Sequence, residues 1–204
     1  MSDVTDGGDP PVMSAPEELG HAQGTTDILL ARAASFAARR RAAGGGSARP
    51  ASPATGVAIV ACMDARINLE AIFGLAEGDA HILRNAGGVV TEDIERSLAV
   101  SQHALGTTEI ILIHHTRCGM ETLTDDGFRA SLAERTGVRP TWRLQSFTSA
   151  AEDVWRSVTA LRSSPFLRAS TSVRGFVYDV ETGELDEITE SPQPAACAPT
   201  QATA

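Results

Sequence analysis

Four short apolar runs rich in β-branched residues constrain this chain most: VAIVA (57–61), AHILR (80–84), EIILIHH (109–115) and VRGFVYD (173–179). Runs of this length suit strands buried on both faces, as in parallel sheets. Helical patterns separate several of them. TEDIERSLAVSQHALG (91–106) offers Thr91 as a cap, acids in the first turn and Gly106 as a stop. SAAEDVWRSVTALRSSP (149–165) pairs Ser149 with Glu152 in a capping-box pattern, and Pro165 follows its end. DDGFRASLAERTG (125–137) puts Phe128 and Leu132 on one helical face. Strands alternating with helices predict an α/β fold, with a mainly parallel central β-sheet flanked by helices. The last run continues through DVETGEL, with Thr182-Gly183 as the turn of a C-terminal β-hairpin.

The 204 residues suit one domain with tails. Residues 1–24 carry Pro, Gly and acids without apolar period and read as a disordered N-terminal tail. A helical arm is predicted over 25–42. Thr25 or Thr26 would cap it, Ile28, Leu29, Ala33 and Phe36 share a face, and Arg39, Arg40 and Arg41 suit the C-terminal end of its dipole. Residues 43–55, rich in Gly, Ala and Pro, read as a flexible linker. The domain is expected to span 25–188, and 189–204 to form a disordered C-terminal tail.

Charge and composition remove several function classes. The net charge of −9 disfavours a nucleic-acid partner, and 4% aromatic residues leave little for base stacking. All 17 basic residues are arginine, which excludes lysine Schiff-base chemistry. No apolar run reaches the roughly 18 residues that span a bilayer. The acidic start lacks the basic end and apolar stretch of a secretory signal, so the expectation is a cytoplasmic protein. Three cysteines, far apart, are too few for a disulfide scaffold and point to metal, catalysis or burial.

Two clusters carry chemistry. VAIVACMDAR ends a strand at Cys62, Asp64 and Arg66, in a Cys-x-Asp-x-Arg pattern. EIILIHHTRCG ends another at His115 and Cys118, in a His-x-x-Cys pattern. Parallel α/β folds place sites at the carboxyl ends of strands, so clusters about 50 residues apart converge there. Two thiolates and an imidazole suit tetrahedral zinc, and three protein ligands leave a fourth position open, as in catalytic sites. Each residue also has a plain structural reading. Cys62 and Cys118 are ordinary buried thiols, His115 a core histidine, and Asp64 with Arg66 an ion pair. Cys62 and Cys118 also form a candidate redox dithiol. His114 faces away from His115 by strand alternation. His81 and His103 read as structural or surface groups, and Cys197 sits in the tail.

CMDAR, GDAHILRNAGG, HHTRCGM and SPFLRASTSVRGFVYDVETGELDEI, in that order, resemble the β-class carbonic anhydrases, and most of all their short bacterial branch. The resemblance covers about residues 26–188. It implies one zinc ion per chain held by Cys62, His115 and Cys118, and reversible hydration of carbon dioxide to bicarbonate and a proton. It also implies a homodimer or higher homo-oligomer. Zinc lowers the pKa of a coordinated water and so supplies hydroxide near neutral pH. Asp64 would orient that hydroxide while Arg66, by bidentate pairing, keeps Asp64 off the metal. Arg84 to Gly88 are expected to line the substrate pocket through Asn85, Ala86, Gly87 and Gly88, or else to form a strand-to-helix turn. The Gly119 backbone N–H is expected to position the reacting species or a thiolate. Arg117 departs from the acid common in this family and reads as pointing to solvent or adding charge beside the metal. Two further readings keep the fold: a carbon disulfide or carbonyl sulfide hydrolase, and a non-catalytic zinc protein in which Asp64 closes the site.

Overall fold

The computed structural model describes residues 24–44 and 50–192. The chain divides into two compact units, 1–48 and 49–204. The first contains α1 (Thr25–Ala42). Its cap differs from the predicted one. Gly24 occupies the cap position, and the Asp27 carboxylate accepts the Gly24 N–H at 3.1 Å. Thr25 and Thr26 lie inside the first turn, where their hydroxyls are past the capping position. The predicted tails 1–23 and 193–204, with Cys197, lie outside the described residues, as do 45–49.

The second unit runs β1 (Val57–Cys62), α2 (Leu69–Phe73), β2 (Ala80–Asn85), α3 (Glu92–His103), β3 (Glu109–His115), α4 (Asp125–Thr136), α5 (Ala150–Ser163), β4 (Ser172–Tyr178) and β5 (Leu185–Glu187). Its sheet has the order β2-β1-β3-β4-β5. The first four strands pair parallel and β5 closes antiparallel on β4. This is the expected α/β architecture, with the hairpin turn held by Gly183 at φ 80°. Residues before β1 are tied down. The Ala54 N–H reaches the Gly78 carbonyl at 2.9 Å, and the Thr55 hydroxyl the Asp79 carbonyl at 2.6 Å.

Side-chain alternation builds two cores. Ala58, Val60, Ile110 and Leu112 pack with Leu98 of α3 and Val154, Val158 and Leu161 of α5. Ile59, Ala61 and Ile113 pack on the other face with Ile67, Leu69, Val89 and Phe147. Each of the Val, Leu, Ile and Phe side chains contributes about 1.5–3 kcal/mol when fully buried. Helix α5 approaches β4 so closely that a Cβ at Gly175 would lie 2.4 Å from Val154 Cγ1. The predicted caps hold: Thr91 Oγ1 accepts the Ile94 N–H and Ser149 Oγ the Glu152 N–H, each at 3.3 Å. Helix α2 was not legible, because five residues give no helical period; Asn68 caps it and Gly74 ends it. Phe128 and Leu132 of α4 are half-buried.

Candidate metal centre

Adjacent strands bring the two clusters together. β1 and β3 pair in register through Ala61 and Ile113, so Cys62 and His115 emerge side by side at the carboxyl end of the sheet. Cys118 follows in the turn after β3. All three side chains are buried, and their ligating atoms lie within 4.8 Å of one another.

The His115 ring is fixed from behind. Nδ1 lies 3.0 Å from the Thr116 carbonyl, which only accepts, so Nδ1 carries the proton and Nε2 presents its lone pair. Nε2 is buried and has no hydrogen-bond partner. An orphaned buried acceptor costs about 1–3 kcal/mol. Two sulfurs beside it make that lone pair the third corner of a metal-capable donor set. The thiols reinforce this. Cys62 is pulled down to about 4, chiefly because the Cys118 thiol donates to it, with burial opposing and His115 assisting. Backbone N–H groups of Asp64 and Gly87 also point at Cys62 Sγ, the latter at 3.3 Å. Cys118 is pushed up by that same shared proton and by burial, against the Met120 N–H. Burial pulls His115 down, but the Cys62 thiolate outweighs it and raises the net value. A divalent cation bound there would displace the thiol protons, since cysteine ligates as thiolate.

Asp64 stands beside this group without joining it. Its carboxylate takes a bidentate pair from Arg66, Nε at 2.9 Å and Nη2 at 2.7 Å, and the Arg66 backbone N–H at 2.9 Å. That pairing, first the Arg66 side chain, holds Asp64 well below the ordinary carboxylate range despite some desolvation. Asp64 Oδ2 is 3.7 Å from His115 Nε2. Arg84 has a role that sequence reading did not separate from the pocket segment. Its guanidinium donates to the carbonyls of Cys62 (2.9 Å) and Asp64 (2.7 Å), fixing the loop that carries both. No spacing signals this, since Arg84 acts across a strand pair.

Residues 86–88 form a short 3-10 turn against the ends of β1 and β3. A Cβ at Gly88, where φ is +71°, would lie 2.8 Å from Cys62 N and 2.9 Å from Ile113 O. Only glycine fits that approach. Asn85 donates to the Val89 carbonyl at 2.9 Å, and its Oδ1 is buried without a partner. The N–H groups directed at the sulfurs are those of Asp64, Gly87 and Met120, while the Gly119 carbonyl accepts from Thr122.

The other described histidines are structural in their contacts. His114 is fully buried, stacks on Phe147 at 4.9 Å and meets Asp153 Oδ2 through Nε2 at 2.9 Å. Asp153 also binds Arg156. His81 bonds Ser101 and the Ala51 carbonyl, and His103 the Phe166 carbonyl. The Arg117 side chain is exposed and pairs with Glu181 at 2.7 Å.

Known proteins agree with this architecture. The family profile described as carbonic anhydrase matches residues 57–185. Beta-carbonic anhydrase 1 of Mycobacterium tuberculosis is 54% identical over 140 residues, covering 69% of this chain and 86% of that protein. Carbon disulfide hydrolase of Saccharolobus solfataricus is 34% identical over 151 residues, covering 62% and 74%. The crystal structure of carbonic anhydrase from Streptococcus mutans superposes with a TM-score of 0.75 at 38% identity, covering 82% of this chain and 99% of that one. The match runs through the strands and turns that carry the buried Cys-His-Cys group, and the chain therefore belongs to the β-carbonic anhydrase family of enzymes.

Proposed function

We propose that this chain hydrates carbon dioxide reversibly to bicarbonate and a proton, using one zinc ion held by Cys62, His115 and Cys118. The observation that carries the reading is the buried, unpartnered Nε2 of His115 grouped with the buried sulfurs of Cys62 and Cys118, all three ligating atoms lying within 4.8 Å of one another. Zinc bound there supplies hydroxide chemistry near neutral pH by acidifying water. The chain's own groups do the rest. Thr116 fixes the tautomer and aim of His115. Gly87 and Met120 N–H groups stabilise thiolate charge. Asp64, ionised and fixed by Arg66, accepts a hydrogen bond from the nucleophile and so turns its lone pair toward the carbon. Asn85 to Gly88 bound the space beside it. Because Asp64 is engaged bidentately with Arg66, the reading with an open fourth position is favoured over one in which Asp64 closes it.

The 54% identity to a β-carbonic anhydrase favours carbon dioxide over carbon disulfide or carbonyl sulfide as substrate. The lower-identity carbon disulfide hydrolase keeps that second reading measurable. Residues 25–188 are read as the working unit, with 1–24 and 189–204 as tails and 43–55 as a linker. A homodimer or larger homo-oligomer is part of the proposal, as the family resemblance implies. No helix among the described residues is long and apolar enough to cross a membrane. A cytoplasmic setting remains part of the reading, and the net charge of −9 supports no nucleic-acid partner.

Stopped-flow carbon dioxide hydration of the zinc-loaded chain, between about pH 6.5 and 9, tests the reading around the usual range of zinc-water ionisation. Activity rising with pH is expected; none at any pH sinks it. The same protein assayed with carbon disulfide separates the substrates. Metal analysis giving one zinc per chain, lost in Cys118→Ser, excludes a redox dithiol.

A further inference from the structure

Arg117 stands in an unusual backbone state. Its φ is 56°, in the left-handed region, where a side chain costs roughly 1–2 kcal/mol. The turn it occupies is fastened to the β4–β5 hairpin. The Thr116 N–H reaches the Tyr178 carbonyl at 2.9 Å, and Thr116 Oγ1 accepts the Val180 N–H at 3.2 Å. The Arg117 side chain adds the 2.7 Å ion pair with Glu181. Glu181 itself sits on a tight loop, where Asp179 Oδ1 takes the N–H groups of Glu181 and Thr182 at 2.7 and 2.9 Å. The left-handed turn aims the Arg117 carbonyl at Arg66, whose Nη2 donates to it at 3.1 Å while also holding Asp64.

We propose that Arg117 is a positioning residue for the reaction: its carbonyl holds the Arg66 guanidinium against Asp64, and its ion pair with Glu181 holds that carbonyl in place. This rests on the catalytic reading above. The hairpin thereby sets how firmly Asp64 is kept from the metal's open position. Loosening the tether frees Arg66 to turn away, and Asp64 then competes for that position with any added anion.

Arg117→Gln and Glu181→Gln separate this from a simple charge effect. Each breaks the same ion pair, but they change the local charge in opposite senses. The probe is azide, titrated into cobalt-substituted enzyme and followed by the visible spectrum, with carbon dioxide hydration measured in parallel on the zinc form. The tether requires both variants to weaken azide binding and lower kcat in the same direction, by about two- to fivefold, as befits an exposed ion pair. The double variant is expected to be no worse than either single one. Metal content and Tm should match the parent. If charge alone acts, Glu181→Gln tightens azide while Arg117→Gln weakens it, and the proposal is overturned. An active parent with an unmoved Glu181→Gln overturns the tether alone. A zinc-loaded parent that hydrates no carbon dioxide overturns the tether together with the catalytic reading.

Discussion

His114 and His115 are neighbours on one strand, both fully buried, and they have opposite fates. Alternation turns them to opposite faces of β3. His114 finds a carboxylate, Asp153, and an aromatic ring, Phe147. His115 finds a carbonyl behind Nδ1 and two thiols before Nε2. Each ring keeps one nitrogen without a partner. Burial and residue type are therefore shared, and the difference lies in what meets Nε2 of each ring. Two sulfurs beside an unpartnered Nε2 make a metal-capable group at His115, whereas at His114 Nε2 is taken by Asp153, a carboxylate already shared with Arg156, which makes a buried brace between β3 and α5.

The comparison breaks most sharply at the ligands. His115→Gln or Cys118→Ser is expected to abolish hydration and to lower zinc affinity by more than the roughly 10- to 100-fold that outer partners contribute; metal analysis after dialysis reads this out. Equal zinc loss in His114→Gln would erase the distinction between the two rings. Next is Gly88→Ala, which forces a Cβ onto Cys62 N and Ile113 O at a positive φ. Overpacking of about 1–3 kcal/mol plus a backbone penalty near 1 kcal/mol is expected, seen as lower urea resistance with reduced zinc occupancy.

Asp153→Ala removes the brace alone. It should cost about 1–3 kcal/mol of stability by leaving the His114 donor unpaired, while zinc stays at one per chain. Zinc loss without loss of stability would place Asp153 in the metal site instead. The smallest effect concerns acid. Burial pushes the Asp153 carboxyl up, but His114 and Arg156 outweigh it, so its value lies below the ordinary one. Its contribution is therefore complete above the ordinary carboxylate pKa of about 3.9 and is lost as pH falls below that. Asp153→Asn should flatten the acid dependence of urea unfolding below about pH 4 and leave it unchanged near pH 7. An unaltered slope would show that Asp153 titrates normally.

Much of this was legible in the chain. The β-branched runs gave four strands because strands buried on both faces need continuous apolar sequence. Thr91 and Ser149 marked helix starts because their hydroxyls satisfy free N–H groups locally. The Thr25 or Thr26 cap failed because Asp27, three residues past Gly24, takes the first N–H instead. Which N–H groups meet the sulfurs was not legible, because backbone N–H direction depends on turn geometry; after β3 it is Met120 that is turned to Cys118.

Sequence alone determined the donor types, the strand ends that carry them and the Asp-x-Arg spacing that permits a bidentate pair within one loop. These are local matters of chemistry and period. Tertiary structure decided which groups aim those donors: Arg84 on the Cys62–Asp64 backbone, Gly88 wedged between β1 and β3, and Arg117 linking Arg66 to the hairpin. Those contacts join residues 20 to 64 positions apart. No local pattern encodes them, because they depend on the order in which strands pair and on where a turn points its carbonyl.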